Sequence, residues 1–246
     1  MLVGTASVDE LLAHAATMPS FDTEALVLAG TEVLQAAYEL RIGGRAAALP
    51  PALHPVNPPT AVVQVWRCPD TPWGPCSIAQ VRVGARSGLR PRGHVQGCVV
   101  DVDAAADALR TRWGLPAQVG EVHLRRHFDD TEAAVRLDGH PVLSVRGTDP
   151  EPLGPGDVAY STAVTLAHTP RGVRLVQVDH DLAAERAERL RPLPLGAFDA
   201  ARLGVHPSVE PWYPVSASIA VGTLTLHPLR YVCRPDELAF TATESL

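Results

Sequence analysis

The stretch Asp103-Ala104-Ala105-Ala106-Asp107-Ala108-Leu109-Arg110-Thr111-Arg112-Trp113-Gly114-Leu115-Pro116-Ala117-Gln118 is the chain's clearest helical passage, and it sits between two β-type segments. Alanine-rich spacing predicts a helix over Asp103–Trp113, with Gly114 and Pro116 punctuating the chain beyond it. Before it, His94–Val102 reads as a strand, and after it Val119–His127 reads as another. A short helix between two strands argues for a β structure with helical inserts, and the rest of the chain agrees.

Working outward, period-two alternation marks Thr31–Arg41, where Leu34, Ala36, Tyr38 and Leu40 share one face while Gln35, Glu39 and Arg41 share the other. Thr60–Arg67, Ser77–Val83, Ala133–Leu137, Pro141–Val145, Tyr160–His168, Val173–Val178 and Ser218–Val232 are further predicted strands. Asp138-Gly139 is a tight hairpin signal. Two more helices are expected. One is a capped segment from the Ser7-Val8-Asp9-Glu10 box through Thr17, stopped by Pro19. The other is Leu182–Leu190, with Glu185 and Arg189 at i,i+4. Pro50, Pro51, Pro55, Pro58 and Pro59 keep the segment before Thr60 extended or turning. The expected class is mainly β (α+β): antiparallel strands, a few short helices, and one domain over residues 1–246.

Composition excludes several functions. All 21 basic residues are arginine, so no side chain can form an imine, because a guanidinium stays protonated at working pH. A net charge of −6 argues against a nucleic-acid partner. No polybasic patch and no run of about 18 apolar residues points to a membrane. Cys68, Cys76, Cys98 and Cys233 lack C-x-x-C spacing and read as reduced thiols; with no signal-peptide pattern at the start, a cytoplasmic location is expected.

From Tyr38 to about Val122 the sequence resembles the acetoacetate decarboxylase family. Leu49-Pro50-Pro51-Ala52-Leu53 stands where that family has a Pro-x-x-Leu segment. The strand Ala61–Trp66 precedes Pro69-Asp70-Thr71-Pro72-Trp73-Gly74-Pro75-Cys76, similar to the turn before the family's Glu-bearing strand. Arg110 to Pro116 resembles the passage that ends in the proline preceding the reactive lysine. The resemblance implies a closed, cone-like antiparallel β-barrel around an apolar cavity, assembled as a homo-oligomer. There a lysine forms an imine with a β-keto acid, aided by a second lysine, two glutamates and an arginine. Here the two lysine positions hold Ala117 and Gln118, the glutamate positions fall on Val63 and Ile78, and Glu39 lies near the arginine position. Arg110 persists from the motif, and Thr111 replaces its glutamate.

These substitutions lead to an enzyme without imine chemistry, acting non-covalently on a small carbonyl-bearing or polyketide-like molecule by cyclisation, isomerisation or dehydration. Glu39 is the expected base with Arg41 beside it, and Val63, Gln64, Ile78, Gln80, Trp113, Ala117 and Gln118 are the expected pocket. Gln80 and Arg82 share the face of Ile78. The alternative is a non-catalytic protein that binds or carries an apolar ligand. No cofactor is expected. No metal is expected either: His123 and His127, near Asp129 and Asp130, lie about 13 Å apart along a strand. His94 and Cys98 are separated in the same way, which excludes a simple Cys–His pair.

Overall fold

The computed structural model describes residues 2–246 and is dominated by strands. A short helix α1 (Val8–Leu11) precedes β1 (Leu26–Leu40), β2 (Thr60–Cys68), β3 (Cys76–Ser87) and β4 (Arg90–Val100). Helix α2 (Asp103–Trp113) leads to β5 (Ala117–Val119), β6 (Glu121–Arg126), β7 (Asp130–Leu137) and β8 (His140–Leu153). Then come β9 (Thr162–Thr169), β10 (Gly172–Val178), β11 (His180–Pro192), helix α3 (Ala200–Leu203), β12 (Pro211–Leu226) and β13 (Tyr231–Cys233).

Strands β1 to β4 form an antiparallel run, with β12 on the outer side of β1 and β11 beyond it. The free edge of β4 divides. Its first half, Arg92–Val95, pairs in parallel with Thr162–Thr165 of β9. Its second half, Cys98–Val100, pairs in parallel with β5. Through Gly120 the chain passes into β6, which pairs with β7, then β8, which reaches back to β11. Strand β9 pairs with β10, which continues through Asp179 into β11. The sheet therefore curls into two lobes that share the central strands.

Each lobe has its own core. One gathers Leu34, Val63, Val65, Val81 and Val99 with Val135, Val145 and Ile219. The other gathers Leu28, Val33, Trp66, Ile78 and Val100 with Leu109 and Trp113 of α2 and Val178. Central strands buried on both faces follow from their apolar runs, such as Val62-Val63 and Val99-Val100. Each fully buried Val, Leu or Ile contributes about 1.5–3 kcal/mol.

Helix α2 spans the predicted residues. Gly114 ends it in a left-handed conformation (φ 67°), donating to the Arg110 and Leu109 carbonyls. Side chains fill the space around it: a Cβ there would meet Met18 Sδ at 2.7 Å.

Two predicted helices differ. Leu182–Leu190 lies inside β11, paired with β8 on one side and β12 on the other. Helical propensity and one i,i+4 pair supply only tenths of a kcal/mol each, so two hydrogen-bonded neighbours override them. The N-terminal helix is one turn plus the 3₁₀ segment Leu12–His14, and Ser7 makes no side-chain cap. Ala16–Thr17 instead adds to the sheet beside β9. The predicted Ser218–Val232 strand is divided into β12 and β13. Among the described residues, no helix is long and apolar enough to cross a membrane.

Both neighbours of β12 bulge against it near Gly222, where a Cβ would lie 2.1 Å from the Ala183 carbonyl oxygen. Gly222→Val forces β11 and β12 apart. A loss of about 2–4 kcal/mol in urea unfolding is expected; an unchanged midpoint would contradict this register.

Candidate functional site

Cross-strand register brings one row of residues together. Gln35 of β1 faces Gln64 of β2, Gln64 faces Gln80 of β3, Gln80 faces Cys98 of β4, and Cys98 faces Ala117 of β5. Directly paired residues share a face, so the alternation also places Trp66, Ile78 and Arg82 on this side. The row stands in the lobe that holds α2, among Trp66, Ile78, Cys98 and Ala117 of its core.

The polar members form a network. Gln64 Nε2 donates to Gln35 Oε1 (2.7 Å), Trp66 Nε1 donates to Gln64 Oε1 (3.3 Å), and Gln35 Nε2 donates to the Ala159 carbonyl (3.2 Å). Arg82 donates from both Nε (2.9 Å) and Nη2 (2.7 Å) to Gln80 Oε1. Its Nη1 reaches the Ser161 carbonyl and His180 Nε2, each at 3.3 Å. The Trp66 and His180 rings lie 5.9 Å apart, and the guanidinium carbon sits 5.8 Å from the Trp66 ring. The segment Ala159-Tyr160-Ser161 thus bridges Gln35 and Arg82.

The electrostatics are unusual. Arg82 is 1% exposed, and among the described residues it takes part in no ion pair. A buried charge is normally paired, because desolvation costs several kcal/mol. Burial pushes the guanidinium down to about 9, which leaves it a cation at neutral pH. His180 is pushed down to about 3, first by burial and then by Arg82, and stays neutral. Burial raises the Cys98 thiol to about 12 and also raises the Tyr160 hydroxyl. Two polar groups in this region have no partner, the Gln80 Nε2 and the Tyr160 hydroxyl, as does Trp113 Nε1 on α2. A cation without a carboxylate, beside an unused amide donor, suits an oxygen-rich or anionic ligand.

The sequence-derived candidates divide. Gln64, Ile78, Gln80 and Ala117 lie in the row or on its face, and Trp113 belongs to the same core. Val63 belongs to the opposite core, paired with Ala36 and Val81, so it does not line this site. Gln118 pairs with Val99 of that other core and donates to the Arg202 carbonyl (3.4 Å). A one-residue slip reverses the face of a strand, which accounts for both. Glu39 is half-buried near the end of β1, opposite Thr60 and Tyr213, about 13 Å along the strand from Gln35. Arg41, just beyond β1, is exposed and pairs with Glu210 at 3.2 Å. Arg110 donates to the Ala117 carbonyl (2.7 Å) and pairs with Asp107, holding the start of β5.

The row that ends at Ala117 is a packed polar cluster. A cavity of about 460 Å³ lies nearby, where β4 divides, with His94, Gln96 and His206 set among the apolar Val95, Leu166 and Val205. Gln96 is the extra residue of a bulge between β3 and β4, bonded to the Ala48 carbonyl and to the His206 amide. Sequence reading missed Gln35, Trp66 and His180. Alternation around Gln64 signals Trp66, whereas nothing local pointed to His180.

The family described as acetoacetate decarboxylase (ADC) matches residues 16–182. No curated protein matches the sequence. Among solved structures, an acetoacetate decarboxylase from Legionella pneumophila is 18% identical, with a TM-score of 0.69 over 87% of this chain and 88% of that one. The enduracididine biosynthesis enzyme MppR, in complex with pyruvate, is 18% identical, with a TM-score of 0.68 over 85% and 91%. An acetoacetate decarboxylase-like enzyme from Sphingomonas wittichii RW1 is 15% identical, with a TM-score of 0.64 over 92% and 97%.

The neutral state of His180 sets a pH dependence. Its folded value, about 3, lies below the ordinary 6.5, so the unfolded chain binds the proton more readily. Stability is complete above pH 6.5 and falls as pH drops toward 3, at up to about 1.4 kcal/mol per pH unit. His94, pushed down to about 4 by burial, adds to the same slope. His180→Gln should flatten the urea-unfolding curve between pH 6.5 and 4; an unaltered slope would remove the buried neutral imidazole.

Proposed function

This chain belongs to the acetoacetate decarboxylase family, and from that premise we propose that it is an enzyme working without an imine. It holds a small carbonyl-bearing, polyketide-like substrate non-covalently against Arg82 and promotes its cyclisation, isomerisation or dehydration. The single observation that supports this reading is the buried, carboxylate-free guanidinium beside the row that ends at Ala117. The family's imine is a cationic electron sink. In a lysine-free chain a fixed cation is one way to stabilise negative charge on a substrate oxygen.

The substrate carbonyl oxygen accepts from Arg82 and from the unused Gln80 Nε2. As the adjacent C–H bond breaks, its electron pair moves into an enolate whose oxygen faces those donors. The proton passes to His180 Nε2, whose lone pair accepts an Arg82 N–H at 3.3 Å in the resting site and is freed when that N–H turns to the substrate oxygen. An imidazolium beside Arg82 is unfavourable in the resting site, in keeping with the low value of His180. The developing enolate charge offsets that repulsion, so the stabilisation is greatest in the transition state. The base is thereby His180 rather than Glu39, which stands at the far end of β1.

Two variants test it. With 2,4-pentanedione as ligand, Trp66 fluorescence should report saturable binding, and Arg82→Met should weaken it by about 100-fold or more. Gln80→Glu supplies the missing carboxylate within the same shape. It should retain the fold by thermal melting while abolishing binding. Undiminished binding in both variants sinks the proposal, as does a borohydride-trapped adduct on an internal residue. A polyketide-like ligand that native mass spectrometry shows leaving unchanged would favour the carrier alternative instead.

A further inference from the structure

The pair Cys68 and Cys76 takes no part in the chemistry at Arg82. The two residues close the β2–β3 hairpin, directly opposite one another in register, at the ends of the loop Pro69–Pro75. Both are buried in the same core, so their side chains share a face. Directly opposed antiparallel residues have Cα atoms about 4.5–5.5 Å apart, inside the window of about 4.4–6.8 Å that a disulfide requires. Register therefore brings the two thiols within reach of a cross-strand disulfide.

Two further features favour reaction. A cleft of about 410 Å³, lined by Gly30, Glu32, Arg67, Pro69, Ser77 and Asp101, also touches both cysteines, giving a small reagent a route. The thiols are also unequal. The Cys76 thiol is lowered, chiefly by Cys68 and with help from Thr71, whereas the Cys68 thiol is raised, chiefly by Cys76. Cys76 is thus the better nucleophile and Cys68 the resolving partner.

We propose that Cys68 and Cys76 form a reversible redox modification site, closing to a cross-strand disulfide when a small-molecule disulfide is present. The Cys76 thiolate attacks one sulfur of the reagent, forming a mixed disulfide and releasing one thiolate. Cys68 then loses its proton and attacks Cys76 Sγ, releasing the second. The protein dithiol is oxidised by two electrons and the reagent is reduced to two thiols. The joined strands are those that carry Gln64, Trp66, Gln80 and Arg82, so the bond ties down the frame of the buried cluster.

The test uses the native wild-type chain, with its four cysteines, treated with oxidised glutathione. Remaining thiols are then alkylated in denaturant, and the peptides are mapped by mass spectrometry. A Cys68–Cys76 link with two hydrogens lost is expected, with Cys98 and Cys233 alkylated. A dithiol reductant should reverse it, and the oxidised form should melt several degrees higher. Cys68→Ser should trap glutathione on Cys76. A link through Cys98 or Cys233, or thiols at Cys68 and Cys76 that stay free in the folded protein, would overturn the proposal.

Discussion

Central strands that must serve two cores at once constrain this protein. The inner parts of β2 to β4 are buried on both faces, β1 adds Val33 and Leu34 to opposite cores, and alternation sends successive residues to opposite sides. One parity builds the aliphatic lobe of Val63, Val65, Val81 and Val99. The other builds the lobe containing Trp66, Ile78 and the glutamine row. Any slip by one residue would bury glutamines among valines, so polar and apolar faces fix the register together.

That constraint explains why a guanidinium can persist in the interior. Arg82 is held by the Gln80 carbonyl oxygen, the Ser161 carbonyl and His180, all neutral, and it lies near the Trp66 ring. Neutral acceptors reduce the desolvation cost without cancelling the charge. A carboxylate in their place would neutralise the site and leave little attraction for a ligand. The division of β4 between β9 and β5 provides the setting for this cluster. Arg82 faces Val95 in the half paired with β9, whereas Ala117 faces Cys98 in the half paired with β5.

Much of the architecture was legible in the sequence because local signals and tertiary environment agreed. The α2 boundaries, the β2 and β3 strands and the hairpin at Asp138-Gly139 followed from spacing and turn chemistry. Where the two conflicted, tertiary pairing won. Leu182–Leu190 has helix-favouring Ala, Glu and Arg, yet it is a strand because β8 and β12 flank it. The candidate residues divided similarly. Gln64, Gln80 and Arg82 could be read from a shared face, whereas Val63 and Gln118 lie on the opposite one. His180 joins the cluster from 98 residues beyond Arg82, a separation no local pattern encodes.

The sequence by itself determined that no side-chain amine exists and that strands dominate. These are matters of residue identity and short-range periodicity. Only the tertiary structure decided that Gln35, Gln64, Gln80, Cys98 and Ala117 form one row, and that Arg82 is buried beside His180 without a carboxylate. Register and burial are long-range properties: they depend on which strands pair and on what the surrounding chain excludes from water.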